Sequence, residues 1–406
     1  MTTKQGSNAD RGYYVERVWE SQLDGYAPAR YRRPCDYRAY IPYPIRDWVP
    51  SLTGSTAGVV SDVESKIHHL NKDSEPTLGP LARLLLRTES IASSKVEGMQ
   101  TDVRALARAE ARRDTGERIG AEALEVLANV DAMQLAVEEA VATQSLERKH
   151  IANIHRVLLE RTNDRIAGTF RSKQNWIGGN DYNPCEADFV PPPPEEVDQL
   201  LDDLVDFCNG EGLPALVQAA IAHAQFETIH PFDDGNGRIG RALVHVVLRR
   251  RGLAPGYVPP VSVVLARDRK HYIDALTKFR EGDYEAWIEA FGVATAQAAD
   301  LASDYLEAVE ELQERWREQL RDAGAPRADA AAWAVIEVLP AHPVLTAGIG
   351  VAATGRSRPA VDLAIRQLSD AGVLRALSDS KRNRAWEAPA LLDLLRDLEE
   401  GTPLMR

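Results

Sequence analysis

Two stretches of helical spacing, "ALVQAAIAHAQFETIH" and "RALVHVVLRRRG", are joined through "HPFDDGNGRIGR", His230 to Arg241. Any fold of this chain must therefore turn between two helices within that segment. The glycine pair opens the second helix, so free backbone N–H groups and the macrodipole favour an anion against Gly235, Asn236 and Gly237. Arg238 and Arg241, three apart, share a helix face near that end, and two guanidinium forks suit further phosphate oxygens. A polyphosphate fits such a site better than a monophosphate does. Asp234 beside it is the single carboxylate that magnesium commonly takes from a protein, with waters and substrate phosphates as the other ligands. His230, just before the turn, is suited to accept a proton from an incoming hydroxyl at neutral pH. A plain polar loop could use the histidine as a cap and the arginines in surface ion pairs, but it would not need all of these groups together.

The rest of the 406 residues narrows the class. With 44% hydrophobic and 27% charged residues the chain reads as globular, and its length suggests two or three domains. A net charge of -13 excludes a surface that clings as a whole to nucleic acid or anionic membrane, so any such binding is local. The longest apolar run, "YVPPVSVVLA", is broken by prolines and too short to span a bilayer, and the N-terminus lacks a signal-peptide core. Cys35, Cys185 and Cys208 are far apart and odd in number, which indicates neither a disulfide framework nor a zinc knuckle and fits a cytoplasmic protein.

Along the chain, residues 1 to about 60 are rich in Tyr, Pro and Arg with little periodicity and read as an irregular arm packed on the body. Helical spacing follows from about 60 to 160, with Gly98 as a helix stop. The stretch "GTFRSKQNWIGGNDYNPCEADFVPPPP" reads as a hairpin and an extended connector. Residues 285 to about 322 form one or two long helices. From about 327, three helices and two short strands around a polar turn follow a winged helix-turn-helix pattern.

The central segment resembles the Fic family pattern His-x-Phe-x-(Asp/Glu)-Gly-Asn-Gly-Arg-x-x-Arg at every fixed position, and similarity extends over about 60 to 295. The resemblance implies transfer of AMP from ATP to a hydroxyl side chain (Ser, Thr or Tyr) of a protein. His230 would be the base, Asp234 the Mg²⁺ ligand, Gly235, Asn236 and Gly237 the cradle, and Arg238 and Arg241 the holders of distal phosphates. Phe232 would anchor the loop in the core, and Gln174, Asn175, Trp176, Ile177 and Gly178 would be a flap that holds the target by strand addition. "SSKVEG" matches the family's inhibitory pattern (Ser/Thr)-x-x-x-Glu-(Gly/Asn), with Ser93, Glu97 and Gly98 at its fixed positions. Glu97 would pair with Arg241 in place of the γ-phosphate.

Gly355 to Trp386 carries Arg356, Arg358, Arg366, Arg375, Lys381, Arg382 and Arg384 against Asp362, Asp370 and Asp379, a local charge of +4. Such a segment can meet DNA phosphates or dock a protein. "GVAATGRS" has P-loop glycine spacing, but Arg356 stands where the lysine belongs. His223 reads as a packed helix residue, and His68 with His69 as surface.

The expected molecule is mainly α, a Fic-fold helical bundle with a short β-hairpin flap and a C-terminal winged helix-turn-helix domain. Its expected parts are an N-terminal region to 100 ending in the inhibitory helix, a core over 101–300, a helical linker over 301–326 and the winged helix over 327–406. Its expected activity is Mg²⁺-dependent adenylylation of a target protein, which could be the chain itself, restrained by Glu97. Removal of AMP at the same site, and a DNA-binding regulator with a nucleotide-sensing site, are the alternatives. Family habit adds a homodimer.

Overall fold

The computed structural model describes residues 12–20, 27–72, 79–324, 326–377, 384–400 and 402. The N-terminal arm is not irregular: β1 (Tyr13–Trp19) pairs antiparallel with β2 (Cys35–Ile41), from Tyr13 opposite Ile41 to Trp19 opposite Cys35. The expectation failed because β1 buries neither face, so its sequence lacks the alternation that normally betrays a strand. A second correction follows from this ribbon. Cys35 is bonded to Cys185, with Cα atoms 6.1 Å apart, and Cys208 is free and buried. Sequence spacing carried no trace of that pairing across 150 residues, and the cysteine argument for a reducing compartment falls away.

Among the described residues eleven α-helices make up the body: α1 (Gly54–Leu70), α2 (Pro80–Val96), α3 (Val103–Thr115), α4 (Ala121–Ala142), α5 (Arg148–Leu159), α6 (Pro194–Asn209), α7 (Ala215–Ile229), α8 (Asn236–Arg250), α9 (Val261–Arg267), α10 (Arg269–Arg280) and α11 (Tyr284–Asp322). Every residue of α7 is buried, as expected of a helix that is apolar all round and lies in the middle of a bundle. Around it pack α6, α8 and α11, and Trp287 of α11 donates its indole N–H to the Ala220 carbonyl at 2.8 Å. Thr56 of α1 donates to Glu289 of α11 at 2.7 Å, tying the first helix to the longest one. That longest helix starts at an Asp283 cap on Ala286 N and runs unbroken through residue 300, where the core was expected to give way to a linker.

The C-terminal part contains α12 (Ala331–Val338), β3 (Val344–Thr346), α13 (Ala347–Thr354), α14 (Arg358–Asp370), β4 (Arg375–Ala376), β5 (Ala385–Glu387) and α15 (Pro389–Glu399). Its strands form an antiparallel sheet in the order β3-β5-β4. The P-loop look-alike lies in α13 and the left-handed turn at Gly355, not in a phosphate loop after a strand. Lys381, Arg382 and Asp379, counted in the basic segment, lie outside the described residues, and Arg375 is engaged by the buried Glu387.

The expected flap hairpin is also corrected. Between residues 170 and 190 the only regular pairing among the described residues is one antiparallel bridge, Ile177 N to Phe189 O at 2.8 Å and Phe189 N to Ile177 O at 3.1 Å. Gly178 and Gly179 both adopt positive φ, at 75° and 73°, and turn the chain away before a second pair can form. No helix among the described residues is long and apolar enough to cross a membrane.

Because Cys35 and Cys185 are paired, the unfolded, unreduced protein should present one reactive thiol, Cys208, to a thiol reagent, and three after reduction. In the native state that thiol, pushed up to about 12 by burial, should stay silent. Three reactive thiols before reduction would contradict the pairing.

Candidate functional site

The segment between α7 and α8 is built around one strained residue. His230 caps α7 with φ 49° and ψ 59°, the single non-glycine with left-handed backbone among the described residues. Such a conformation costs on the order of 1–2 kcal/mol for an L-residue and persists only where its surroundings impose it. Arg171 supplies that constraint. Nearly buried, it donates Nε to His230 O at 2.8 Å, one terminal nitrogen to Lys173 O at 3.1 Å, and the other to Pro192 O at 2.7 Å and Ile229 O at 3.2 Å. Asn175 adds Nδ2 to His230 O at 3.2 Å and to Phe232 O at 2.9 Å.

The next residues lock in the opposite direction. Phe232 is fully buried, stacked on His155 at 3.7 Å between ring centroids and against Phe170 at 5.0 Å. Asn236 closes the loop on itself, accepting from Phe232 N at 2.9 Å and donating to Phe232 O at 2.8 Å. Its amide is therefore spent on shaping the turn, and only its backbone N–H is left for a ligand. His155 Nδ1 accepts from Gly168 N at 2.9 Å, so its Nε2 carries the proton and donates to Asp234 O at 3.0 Å. Burial pushes His155 down to about 4, which keeps it neutral in that role.

Gly235 takes φ 78° as the cap of α8, and the first-turn N–H groups behind it have no partner within the helix. Arg238 is buried, with Nε and one terminal nitrogen unpaired; its other terminal nitrogen lies 3.6 Å from Asp234. A buried cation with two unused donors at a helix N-terminus suits an anion. Asp234 itself is largely exposed, its one bonded oxygen accepting from Gly235 N at 2.6 Å. Burial, with the Arg171 charge adding to it, pushes the His230 imidazole down to about 4, so it is uncharged at neutral pH with Nδ1 unpaired.

Glu97 reaches this cradle from α2. Ser93 and Glu97 are four apart and face the same way. Arg241, almost fully buried, donates Nε to Ser93 Oγ at 2.9 Å and one terminal nitrogen to both Ser93 O at 2.8 Å and Glu97 Oε1 at 2.7 Å. The carboxylate lies so close over the α8 N-terminus that a Cβ at Gly237 would overlap it. Gly98, at φ 92°, ends α2 with Met99 N on Ser94 O at 3.2 Å and its own N–H on Lys95 O at 2.9 Å, the Schellman pattern that a glycine at that position permits. Burial alone would raise the Glu97 carboxyl, but the Arg241 charge and hydrogen bond, helped by Arg238 and Arg269, hold it below its ordinary value. The pair is thus intact above the ordinary glutamate range and fades only as pH falls through that lowered value.

Behind Arg241 lies a buried polar layer that sequence reading passed over. Tyr272 lies close enough to Arg241 to feel its charge, and its hydroxyl lies 2.9 Å from His223 Nε2. Glu227 has an unpaired oxygen there, and burial pushes its carboxyl up to about 7. His223 is therefore a packed helix residue, as its position suggested. His68 and His69 are exposed on α1. Of the flap residues, Gln174 and Asn175 bend back on the loop, Gln174 donating to Pro191 O at 3.0 Å, while the Trp176 indole donates to Asn180 O at 2.6 Å. Arg171 and His155 carried no sequence signal because most of their partners are backbone atoms distant in sequence, which local spacing does not encode.

Comparison with known proteins bears on this arrangement. Residues 145–248 match the Fic/DOC family, and residues 69–138 match the Fic/DOC family N-terminal region. A protein adenylyltransferase Fic from Drosophila willistoni is 29% identical over 222 residues, covering 53% of this chain and 41% of that protein. One from Aedes aegypti is 32% identical over 168 residues, covering 40% of this chain and 30% of that protein. The match thus spans less than half the length of these curated relatives. The crystal structure of a Fic family protein from Desulfovibrio desulfuricans superposes with a TM-score of 0.51 at 22% identity, covering 84% of this chain and 98% of that one, and shows the shared fold.

Removing the Arg171 clamp leaves buried carbonyls unpaired beside a strained residue. Arg171→Ala should cost about 2–4 kcal/mol in urea unfolding, and Arg171→Lys should recover only part because an ammonium lacks the planar fork. A fully stable Arg171→Ala protein would show that the turn holds itself.

Proposed function

The chain belongs to the Fic/DOC family, and on that premise we propose that it is a protein adenylyltransferase restrained by its own Glu97. The observation that carries the reading is the Glu97 carboxylate lying on Arg241 and over Gly237, inside a cradle otherwise suited to phosphates. In the forward reaction, uncharged His230 takes the proton of a target hydroxyl as that oxygen attacks the α-phosphorus of ATP. The new P–O bond forms as the bond to the bridging oxygen breaks, and pyrophosphate leaves. The N–H groups of the α8 first turn and the unused donors of Arg238 would take up charge on the phosphate oxygens. Arg241 would hold the distal phosphate.

Asp234 suits magnesium because its carboxylate is exposed and largely uncommitted. Among the described residues no cluster of three or more His, Cys, Asp or Glu could hold a metal ion, so water and substrate oxygens would have to complete the ion's shell. Magnesium bound there would neutralise phosphate charge. The flap loop from Gln174 to Gly178 would present the target's backbone to His230, with the Ile177 bridge as its fixed point. The order α12, β3, α13, α14, β4, β5 supports a winged helix-turn-helix, whose exposed Arg356, Arg358, Arg366 and Arg384 suit a polyanion.

Glu97 occupies the place a distal phosphate needs, so ATP binds productively only when the carboxylate leaves. A hundredfold restraint corresponds to about 2.7 kcal/mol, within the range of one buried, hydrogen-bonded ion pair. With ATP and Mg²⁺, Glu97→Gly should gain AMP by intact mass, on itself or on a protein in added lysate. Wild type should gain little, and Glu97→Gly/His230→Ala none. No adduct on any folded protein would overturn the transferase reading.

A further inference from the structure

The turn that carries Glu97 is gripped from outside the catalytic core. Glu399, the last residue of α15, is buried, and its Oε2 accepts from Lys95 Nζ at 3.0 Å and from Val103 N at 3.3 Å. Lys95 lies in the last turn of α2, two residues before Glu97, and Val103 is the first residue of α3. One carboxylate from the far end of the chain therefore joins both sides of the 97–102 turn. It is held in place by the rest of its module: α15 packs on α2, α3 and α11, and Tyr305 of α11 donates to Thr402 O at 2.7 Å. Arg104 and Arg108 of α3 reach the fully buried Glu387 of β5 at 3.1 and 3.2 Å, and Ala107 and Ala111 pack with Val344 and Leu392.

We propose that the C-terminal module sets the brake, with Glu399 as the positioning residue that keeps Glu97 in the phosphate cradle. The inference rests on the reading of Glu97 as an inhibitor of nucleotide binding. Its physical basis is that Lys95 and Glu97 leave the same helical turn in different directions, one held by α15 and one by Arg241. Loosening the first lets the turn move and lowers the local concentration of the second at its partner. Whatever draws α15 from α2 would then release the site, which makes the module the receiving end of a signal and the cradle its output.

The test uses the full chain in wild-type form and as Glu399→Gln, Lys95→Gln, Glu97→Gly and Glu97→Gly/Glu399→Gln, with Glu400→Gln, an exposed neighbour, as control. Two readouts are taken: hydrogen exchange of the amides from Glu97 to Val103, and AMP transfer. Glu399→Gln and Lys95→Gln should each speed exchange in that segment and raise transfer about fivefold, equivalent to about 1 kcal/mol. Glu399→Gln should add nothing to Glu97→Gly, because it acts through Glu97. Unchanged exchange and transfer in both single variants, with Glu97→Gly active, would overturn the proposal. An inert Glu97→Gly would instead sink the transferase reading, and exchange would still decide the clamp: faster in the variants supports it, unchanged refutes it. Equal effects from Glu400→Gln would reduce the result to loss of charge at the helix end and count against a specific clamp.

Discussion

Arg171 spends its guanidinium on the carbonyls of Lys173, Pro192, Ile229 and His230, and in doing so holds a left-handed turn at the end of a helix buried on every side. That turn sends Phe232 into the core, lets Asn236 close on Phe232, and leaves α8 capped by Gly235, with the N–H groups of its first turn lacking partners within the helix. The backbone conflict is accepted at one residue, His230, whose side chain is the one suited to proton transfer. Strain of about 1–2 kcal/mol is small beside four hydrogen bonds from a buried cation.

Arg241 brings the second constraint. A buried guanidinium cannot lose its proton and cannot stay unpaired without a cost of several kcal/mol. Its hydrogen-bond partners are Ser93 and the Glu97 carboxylate, and a phosphate would compete with Glu97 for it. Occupation of the site by either anion is thus built into the burial of the arginine. On the reading proposed above, the regulatory question becomes which anion is present, and it would be decided at the turn between α2 and α3, whose two sides the α15 carboxylate joins.

The helices, the caps at Gly98 and Gly235 and the clustering of His230, Asp234, Arg238 and Arg241 were legible because they follow from local spacing and glycine conformation. The Ser93 to Glu97 face was legible for the same reason. The β1–β2 ribbon was not, since a two-stranded ribbon exposed on both faces imposes no alternation. The flap hairpin was over-read: two successive glycines with positive φ and the side-chain bonds of Gln174 and Asn175 consume the segment that a ladder would need.

By itself the sequence determined which groups are at hand, because a motif of twelve residues brings a histidine, two carboxylates, two glycines flanking an asparagine, and two arginines to one loop and the start of α8. Tertiary structure decided how those groups are used. It turned the Asn236 amide inward, left Arg238 with free donors, set Glu97 on an arginine 144 residues away and brought Glu399 to Lys95 across 304 residues. Periodicity records which face of a helix is buried but not which buried partner meets it. A charged side chain's partner is chosen by the packing of distant elements, and in this chain that choice leaves Arg238 with unused donors while Arg241 is paired with Glu97.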